Sequence, residues 1–132
     1  MAKLTPRAQA YLQEKHFGKL ATILRDGSPH VTPIWYMLDR GNVIVNTSKD
    51  RVKYYNIKRD SRVCLLVDDG YTYLILFGRA RIATERDAKK DIESLAVRYQ
   101  GEAKGRRAAR GIYWKMPRIS LEIIPDRVVS GL

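Results

Sequence analysis

Two hydroxyl residues and two cations stand close together near the middle of the chain and suit the binding of a phosphate. Thr47 and Ser48 follow an apolar run, and Arg51 and Lys53 come soon after them. The spacing predicts a helix of about two turns with Asp50 as its N-cap, because a carboxylate accepts hydrogen bonds from the first turn. Free N–H groups at a helix start and nearby cations attract an anion. The same residues also suit a short helix whose charges face water.

A second group of basic residues lies in the last third of the chain, with Tyr113 and Trp114 among them. A solvated surface, a site for an acidic ligand and a nucleic-acid surface would each account for it, since aromatic rings between cations can stack on bases. Nucleic acid is the least favoured of these three. The group comprises Arg98, Lys104, Arg106, Arg107, Arg110, Lys115 and Arg118.

Other kinds of chemistry find little support. His16 and His30 are the only histidines, and neither has a second ligand at helix or hairpin spacing, so we expect no metal site. Ser28 lies with His30 in a turn, and Cys64 has no basic partner in view, which argues against a hydrolase. Neither a P-loop nor a Gly-x-Gly-x-x-Gly pattern occurs, so nucleotide folds of those types are excluded.

The predicted phosphate site lies between two short strands. Residues 43–45 and 63–67 are apolar and rich in β-branched side chains, as in buried strands. Asp26-Gly27 is a hairpin turn signal, and a strand near Gly78 should break or bulge. The remaining strands are expected at residues 19–24, 31–38, 71–84 and 118–129, with Pro125 either ending the last one or marking an edge.

Two further helices are expected, one before the first strand and one between the strand at residues 71–84 and the last strand. Thr5 is a predicted N-cap with Pro6 in the first helical position, and that helix should end near Gly18. Residues 84–87 look like a capping box that opens a second helix with an apolar stripe. Residues 101–111 are small, basic and poorly periodic, which predicts a loop with at most one helical turn.

Length and composition indicate one domain over residues 1–132. The 132 residues are 45% hydrophobic, enough for a real core. Strands joined mostly by short turns, with one longer helix inserted late, predict a mainly β fold with a few helices, an antiparallel Greek-key barrel. The chain is small for an enzyme that must enclose a cofactor alone, which favours a site completed by a second copy.

The net charge of +11 calls for a negatively charged partner, which charge alone does not identify. The longest apolar runs fall far short of the roughly 18 residues that span a bilayer, so no membrane partner is expected. Residues 1–6 lack the apolar core of a signal peptide. With Cys64 as the single cysteine, no intrachain disulfide can form, and a cytoplasmic protein is predicted.

The region around the predicted phosphate site resembles a known family. After Thr47-Ser48 the chain reads Arg-x-Lys-x-x-Asn-Ile and then Arg-Asp-x-Arg-Val-x-Leu-Leu-Val. Together with residues 20–35, and more faintly 123–128, these motifs resemble the pyridoxamine 5'-phosphate oxidase-like split β-barrel family. Within it, the chain is most similar to the small flavin- and deazaflavin-dependent oxidoreductases, whose deazaflavin is coenzyme F420. The resemblance weakens after Phe77.

The resemblance implies a split β-barrel of the FMN-binding type that works as a homodimer. It implies F420 as the cofactor, with FMN as the alternative. Residues 32–35 would line the ring, residues 46–48 the ribityl chain, and two cations the phosphate, whose charge they would neutralise. The cofactor-binding residues so implied are Thr32, Pro33, Ile34, Trp35, Asn46, Thr47, Ser48, Arg51 and Lys53.

The function implied is an oxidoreductase that transfers a hydride from reduced F420 to a small unsaturated or carbonyl substrate. An FMN-binding oxidoreductase and a barrel that binds a flavin, haem or another planar ligand without turnover are the alternatives. The second basic group would receive the acidic tail of F420 or part of a substrate. No residue stands out as an acid or base, as expected where a cofactor carries the chemistry. The candidate proton donors are Tyr36, Tyr54, Tyr55 and Tyr113.

Overall fold

The structure, a computed structural model, describes residues 3–132. In that range the chain forms four α-helices and seven β-strands, so the predicted mainly β composition with a few helices is confirmed. None of these helices is long and apolar enough to cross a membrane. The elements are, in chain order, α1 (Pro6–Gln13), β1 (Gly18–Ile23), β2 (Pro29–Ile34), β3 (Met37–Asp39), β4 (Asn42–Ser48), α2 (Val52–Arg59), β5 (Arg62–Asp68), β6 (Tyr73–Ile82), α3 (Ala88–Gln100), α4 (Glu102–Gly111), a 3₁₀ turn (Tyr113–Lys115) and β7 (Arg118–Ser130).

The seven strands of the described chain form one antiparallel sheet in the order β2-β1-β5-β6-β7-β4-β3. The sheet curls into a half-barrel. Its two edge strands are β2 and β3, which are consecutive in the chain. Alternate residues of β1 and β5 point into the core, where Leu20 and Leu65 are almost fully buried beside Leu12 of α1. The predicted antiparallel split β-barrel is confirmed.

The pairing of β4 with β7 brings together residues that are far apart in sequence. Asn46 lies opposite Ser120, and Ser48 lies opposite Arg118. The end of β4 therefore meets the start of β7, and α2 begins directly after this meeting point. The same corner of the barrel holds the residues that form the cleft described below.

The predicted strand over residues 31–38 is divided in two, which corrects that expectation. The chain leaves the sheet at Trp35-Tyr36 and re-enters on the opposite edge as β3. Tyr99 of α3 fills this opening: its hydroxyl accepts a hydrogen bond from the Tyr36 N–H at 3.3 Å and donates to the His16 carbonyl at 2.6 Å. The side-chain hydroxyl thus replaces the strand partner that the Tyr36 backbone lacks.

The break expected at Gly78 is confirmed as a β-bulge between Phe77 and Gly78. A Cβ atom at Gly78 would collide with the Ile124 backbone, so glycine is required where β6 bends over β7. Pro125 lies opposite Gly78 inside β7 and does not end that strand, which runs on to Ser130.

Helix boundaries depart from the sequence expectation in several places. The residue in the N-cap position of α2 is Arg51, without a side-chain capping bond, so the capping role predicted for Asp50 is wrong. The helix predicted from residues 84–87 begins only at Ala88, where Asp87 accepts from the Lys90 N–H at 3.1 Å. The first helix ends at Gln13, well before the predicted end near Gly18.

The predicted loop at residues 101–111 is the helix α4, and small residues explain how it forms. Gly101 has φ of +91°, which lets the chain turn sharply after α3. A Cβ atom at Gly105 would approach the Ala96 backbone at 2.6 Å, so this glycine allows the two helices to pack closely. Packing against α3, with Ala109 also buried, stabilises a helix that the sequence pattern did not reveal.

Candidate functional site

One open cleft of about 560 Å³ collects all nine residues predicted to bind a cofactor. They come from the edge strand β2, from the end of β4 and from the start of α2, three segments that the half-barrel brings together. They are Thr32, Pro33 and Ile34 in β2, Trp35 just after it, Asn46, Thr47 and Ser48 in β4, Arg51 before α2, and Lys53 in its first turn.

A third cation, Arg118, joins Arg51 and Lys53 at one end of this cleft. It lies there because β7 begins opposite Ser48, the last residue of β4. By sequence it had been grouped with the basic residues of the last third of the chain. The pairing register of two distant strands decides its place, and residue spacing carries no signal of that register.

The three cations are held together without a counter-charge. In residues 3–132 none of them forms an ion pair with a carboxylate. Burial, and then the nearby charges of Arg51 and Arg118, lower the pKa of Lys53. Burial and Arg51 likewise lower the pKa of Arg118, although Tyr113 and Asp50 act in the opposite direction. A desolvated group of like charges is stabilised by a bound anion.

Two buried hydroxyls in the cleft lack hydrogen-bond partners. The oxygen atoms Thr32 Oγ1 and Ser48 Oγ are both inaccessible, and neither has a partner among the described residues. Buried polar atoms are nearly always satisfied in native proteins, so orphaned ones point to a bound group. Two hydroxyls beside three cations suit a ligand that carries both hydroxyls and a phosphate. The residues present therefore fit a ribityl phosphate.

The other end of the cleft is apolar and aromatic. Trp35 stacks on Tyr99 and meets the edge of the Tyr113 ring, with centroids 5.4 and 6.0 Å apart. Ile92 and Leu95 of α3 line the same end. The apolar stripe of the predicted late helix contained these two residues, but it indicated only packing. Phe17 and Met116 were not predicted as site residues, and Tyr113 was predicted only as one of four candidate proton donors.

The second basic group is not one surface in the structure. Arg98 donates to the carbonyls of Leu12, Gln13 and Glu14. It thereby supplies hydrogen-bond donors to carbonyl groups at the C-terminal end of α1. In α4, Arg106 and Arg110 both form ion pairs with Glu93, with N···O distances of 2.8 and 2.7 Å. Arg118 lines the cleft, as described above. The members that remain exposed without an ion pair among the described residues are Lys104, Arg107 and Lys115.

The structure distinguishes among the four tyrosines considered as proton donors. Only Tyr113 lines the cleft. Tyr36 is fully buried, and burial raises the pKa of its hydroxyl, which faces the Glu14 carbonyl. Tyr54 and Tyr55 lie on α2 outside the cleft lining, with Tyr55 exposed. Tyr113 is therefore the candidate that a ligand in the cleft can reach.

Comparison with known proteins agrees with this architecture. A family model described as pyridoxamine 5'-phosphate oxidase matches residues 4–129. The F420H2-dependent biliverdin reductase of Mycobacterium tuberculosis is 35% identical over 101 residues, 74% of each chain. The 5a,11a-dehydrotetracycline/5a,11a-dehydrooxytetracycline reductase of Streptomyces rimosus is 33% identical over 70 residues, 49% of each chain.

Among solved structures, the conserved hypothetical protein Rv2991 from Mycobacterium tuberculosis superposes with a TM-score of 0.81 at 27% identity. The match covers 99% of this chain and 88% of that one, so the two folds correspond over almost their whole length. The family match, the two relatives and the shared fold agree with one another. The chain therefore belongs to the pyridoxamine 5'-phosphate oxidase family of oxidoreductases, in the branch that includes F420-dependent reductases.

Proposed function

We propose that this protein is an F420H2-dependent reductase that transfers a hydride to a small unsaturated or carbonyl substrate. The observation that carries the proposal is that one cleft holds three cations next to an aromatic wall, with Tyr113 in contact with both Arg118 and Trp35. A cofactor with a phosphate chain and a planar ring matches the cations and the wall. The relatives named as an F420H2-dependent biliverdin reductase and a dehydrotetracycline reductase support the same chemistry.

At the cationic end, Arg51, Lys53 and Arg118 bind the phosphate. Charge-assisted hydrogen bonds to phosphate are about twice as strong as neutral ones. Burial and neighbouring cations lower the pKa of both Lys53 and Arg118, so a bound phosphate would stabilise their charged forms. The Thr32 and Ser48 hydroxyls, which have no partner in the described chain, hydrogen-bond the ribityl chain. These contacts position the ring against β2.

At the aromatic end, Trp35, Ile92 and Leu95 exclude water and orient the two reactants. The reduced deazaflavin supplies the hydride when it is bound. Reduction of a conjugated or carbonyl acceptor also consumes one proton, and Tyr113, which lines the cleft, donates it from its hydroxyl. The protein thus brings the two reactants together and excludes water, while the cofactor supplies the electrons.

FMN would use the same phosphate-binding residues, because it too carries a ribityl phosphate. The names of the relatives favour F420. The exposed cations Lys104 and Arg107 on α4 could also meet the acidic tail of F420. Arg106 and Arg110 are less available for this role, since Glu93 already pairs with both.

We further propose that the protein is a homodimer whose cleft the partner completes. The cleft is open, and apolar side chains next to it face solvent: Phe17 is 54%, Val31 59% and Tyr55 56% exposed. Val31 lies in the edge strand β2, and Tyr55 lies on α2, whose first turn lines the cleft. Several exposed apolar side chains near one cleft are typical of an interface. A single domain over residues 1–132 and a cytoplasmic location stay predictions.

Titration of the purified protein with F420 and with FMN tests the proposed cofactor. We expect F420 to bind more tightly than FMN, and its affinity to rise with the length of its acidic tail and to fall with added salt. Oxidation of bound F420H2 by a panel of conjugated and carbonyl acceptors then tests turnover. Tighter binding of FMN would contradict the F420 assignment. Binding of F420H2 without oxidation by any acceptor would favour the non-catalytic alternative.

A further inference from the structure

A chain of hydrogen bonds runs from the cleft into the protein behind it. Arg118 Nε donates to Asn46 Oδ1 at 2.9 Å. Asn46 Nδ2 donates to Ser120 Oγ at 3.1 Å and to the Ala88 carbonyl at 3.0 Å. The Ser120 hydroxyl then donates to Asp91 Oδ2 at 2.6 Å. Four side chains from β4, β7 and α3 are thus linked in one direction.

The direction of each hydrogen bond in this series follows from whether its two groups can donate or accept. A carboxylate only accepts, so the Ser120 hydrogen must point to Asp91, which leaves the Ser120 oxygen to accept from Asn46. Both hydrogens of the Asn46 amide are then used, one by Ser120 and one by the Ala88 carbonyl. The amide oxygen must therefore face Arg118, whose guanidinium has only donors.

The inner end of the chain is firmly held. Asp91 is 6% exposed and receives two further hydrogen bonds from Arg86, at 2.7 and 3.1 Å. Arg86 is held in turn by Asp39 at 2.7 Å. Ser120 is fully buried in β7. Neither Asp91 nor Ser120 can move to follow Arg118, so Asn46 presents its oxygen at one place in the cleft wall.

The Arg118 guanidinium needs a hydrogen-bond acceptor such as Asn46 to keep it in the cleft wall. Burial and the charge of Arg51 lower the pKa of this guanidinium, and Tyr113 and Asp50 offset only part of this effect. A long, flexible side chain under repulsion would otherwise turn toward solvent. Nε is bound to Asn46, Nη1 is close to Met116 Sδ at 3.5 Å, and the guanidinium lies over the Tyr113 ring, 5.8 Å from its centre. Nη2 has no hydrogen-bond partner in residues 3–132. That end is free to bind an anion.

We propose that Asn46 and Ser120 are positioning residues that hold the Arg118 guanidinium in place for the cofactor phosphate, with Asp91 as the fixed end of the chain. The inference rests on the proposed function for the identity of the anion. It also revises the role of Asn46, which was predicted to lie near the ribityl chain: its hydrogen-bonding groups serve Arg118, Ser120 and the Ala88 carbonyl.

Two variants each remove a different link in this series of hydrogen bonds. Asn46→Ala removes the acceptor of Arg118, and Ser120→Ala removes the hydroxyl behind it while leaving Asn46 in place. Glu122→Gln is the matched control, because Glu122 lies two residues further along β7 and pairs with Arg81 instead of with Asn46 or Asp91. Should Asn46→Ala fail to fold, Ser120→Ala carries the test, since it removes only one buried oxygen.

The first measurement uses the cofactor-free protein. The Arg118 Nε–H resonance, assigned by its loss in Arg118→Lys, should exchange slowly with solvent in the unmodified protein and in Glu122→Gln. It should exchange faster or disappear in Asn46→Ala and Ser120→Ala. Unchanged exchange in both variants would overturn the proposal. This readout does not depend on which cofactor binds, so it tests the chain of hydrogen bonds even if F420 and FMN both fail to bind.

The second measurement compares ligands with and without a phosphate. FMN and F420 should bind about three- to tenfold more weakly to Asn46→Ala and Ser120→Ala, as expected when one charge-assisted hydrogen bond to the phosphate is weakened but not lost. Riboflavin and the deazaflavin core, which lack the phosphate, should bind these variants and the unmodified protein alike. An equal loss for both kinds of ligand would show that the residues only support the fold, and would overturn the proposal. Failure of the unmodified protein to bind any of the four ligands would overturn the proposed function and the assignment of the anion.

Discussion

The Trp35 and Tyr99 rings stack with their planes 7° apart and their centroids 5.4 Å apart. Trp35 stands where the chain leaves β2, and Tyr99 stands near the end of α3. The Tyr99 hydroxyl also bonds the Tyr36 N–H and the His16 carbonyl. One side chain thus closes the opening between the two edges of the sheet and supports the aromatic wall of the cleft.

We expect Tyr99→Phe to lower the free energy of unfolding by about 1–2 kcal/mol, because the buried Tyr36 N–H then loses its partner. The stacking on Trp35 is retained, so ligand binding should change little. Chemical denaturation measures the difference. Tyr71→Phe is the control, since Tyr71 is 93% exposed. Equal stability of the two variants would mean that the Tyr99 hydroxyl contributes nothing to closing the sheet.

Replacing both Arg51 and Lys53 with Ala should weaken cofactor binding by about 2–4 kcal/mol in total, because each charge-assisted hydrogen bond contributes about 1.5–3 kcal/mol and the two are not additive. Arg118→Ala alone should have a comparable effect to either single change. Fluorescence titration gives the dissociation constants. Lys104→Ala with Arg107→Ala removes the same charge from exposed sites on α4 and should leave FMN binding unchanged. An unaltered constant in the first double variant would exclude the phosphate from this end of the cleft.

The lowered pKa of Lys53 predicts a pH dependence of both stability and binding. Folding depresses the pKa of Lys53, so keeping this lysine protonated lowers the free energy of unfolding at any pH below the folded-state pKa. This cost lessens as the pH rises from the depressed pKa toward the usual value near 10.5. Lys53→Met should therefore raise the thermal midpoint at neutral pH and remove this rise in stability at alkaline pH, while it weakens cofactor binding. Lys58→Met, at an exposed position of the same helix, is the control.

For the unmodified protein, cofactor affinity should fall as the pH rises through the depressed pKa of Lys53, because the neutral amine no longer attracts the phosphate. Binding titrations across the alkaline range show this directly. The same fall in Lys53→Met would assign the pH dependence to another group.

Tyr113→Phe should leave the dissociation constant of F420 nearly unchanged but slow substrate reduction roughly a hundredfold or more, as removal of a general acid does. Pre-steady-state oxidation of bound F420H2 separates the two effects. Tyr71→Phe changes the same group at an exposed turn and should behave like the unmodified protein. A rate unaffected by Tyr113→Phe would mean that water or the substrate itself supplies the proton.

Sedimentation at micromolar concentration should give twice the chain mass of 15.2 kDa. Val31→Lys places a charge on the exposed face of the edge strand and should produce a monomer with weaker cofactor binding, because each cleft would lose its covering partner. A monomeric unmodified protein that still binds cofactor tightly would contradict the shared site.

Much of the fold could be predicted from local patterns. The alternation in β1 and β5, the Asp-Gly turn and the glycine at the β6 bulge each act within a few residues, so the sequence shows them directly. The helix α4 could not be predicted in this way. Its residues have little apolar periodicity, and its stability depends on close packing of Gly105 against Ala96, which appears only when α3 is in place.

The sequence by itself determined the barrel class and most residues of the cleft, because Thr47, Ser48, Arg51 and Lys53 are neighbours along the chain. The tertiary structure alone placed Arg118 beside them, with its guanidinium 5.8 Å from the centre of the Tyr113 ring. The physical reason is strand register: pairing of β4 with β7 sets Ser48 against Arg118 and Asn46 against Ser120, and thereby builds the hydrogen-bond chain that ends at Asp91. Register depends on side-chain packing across the whole sheet, and no local spacing encodes it.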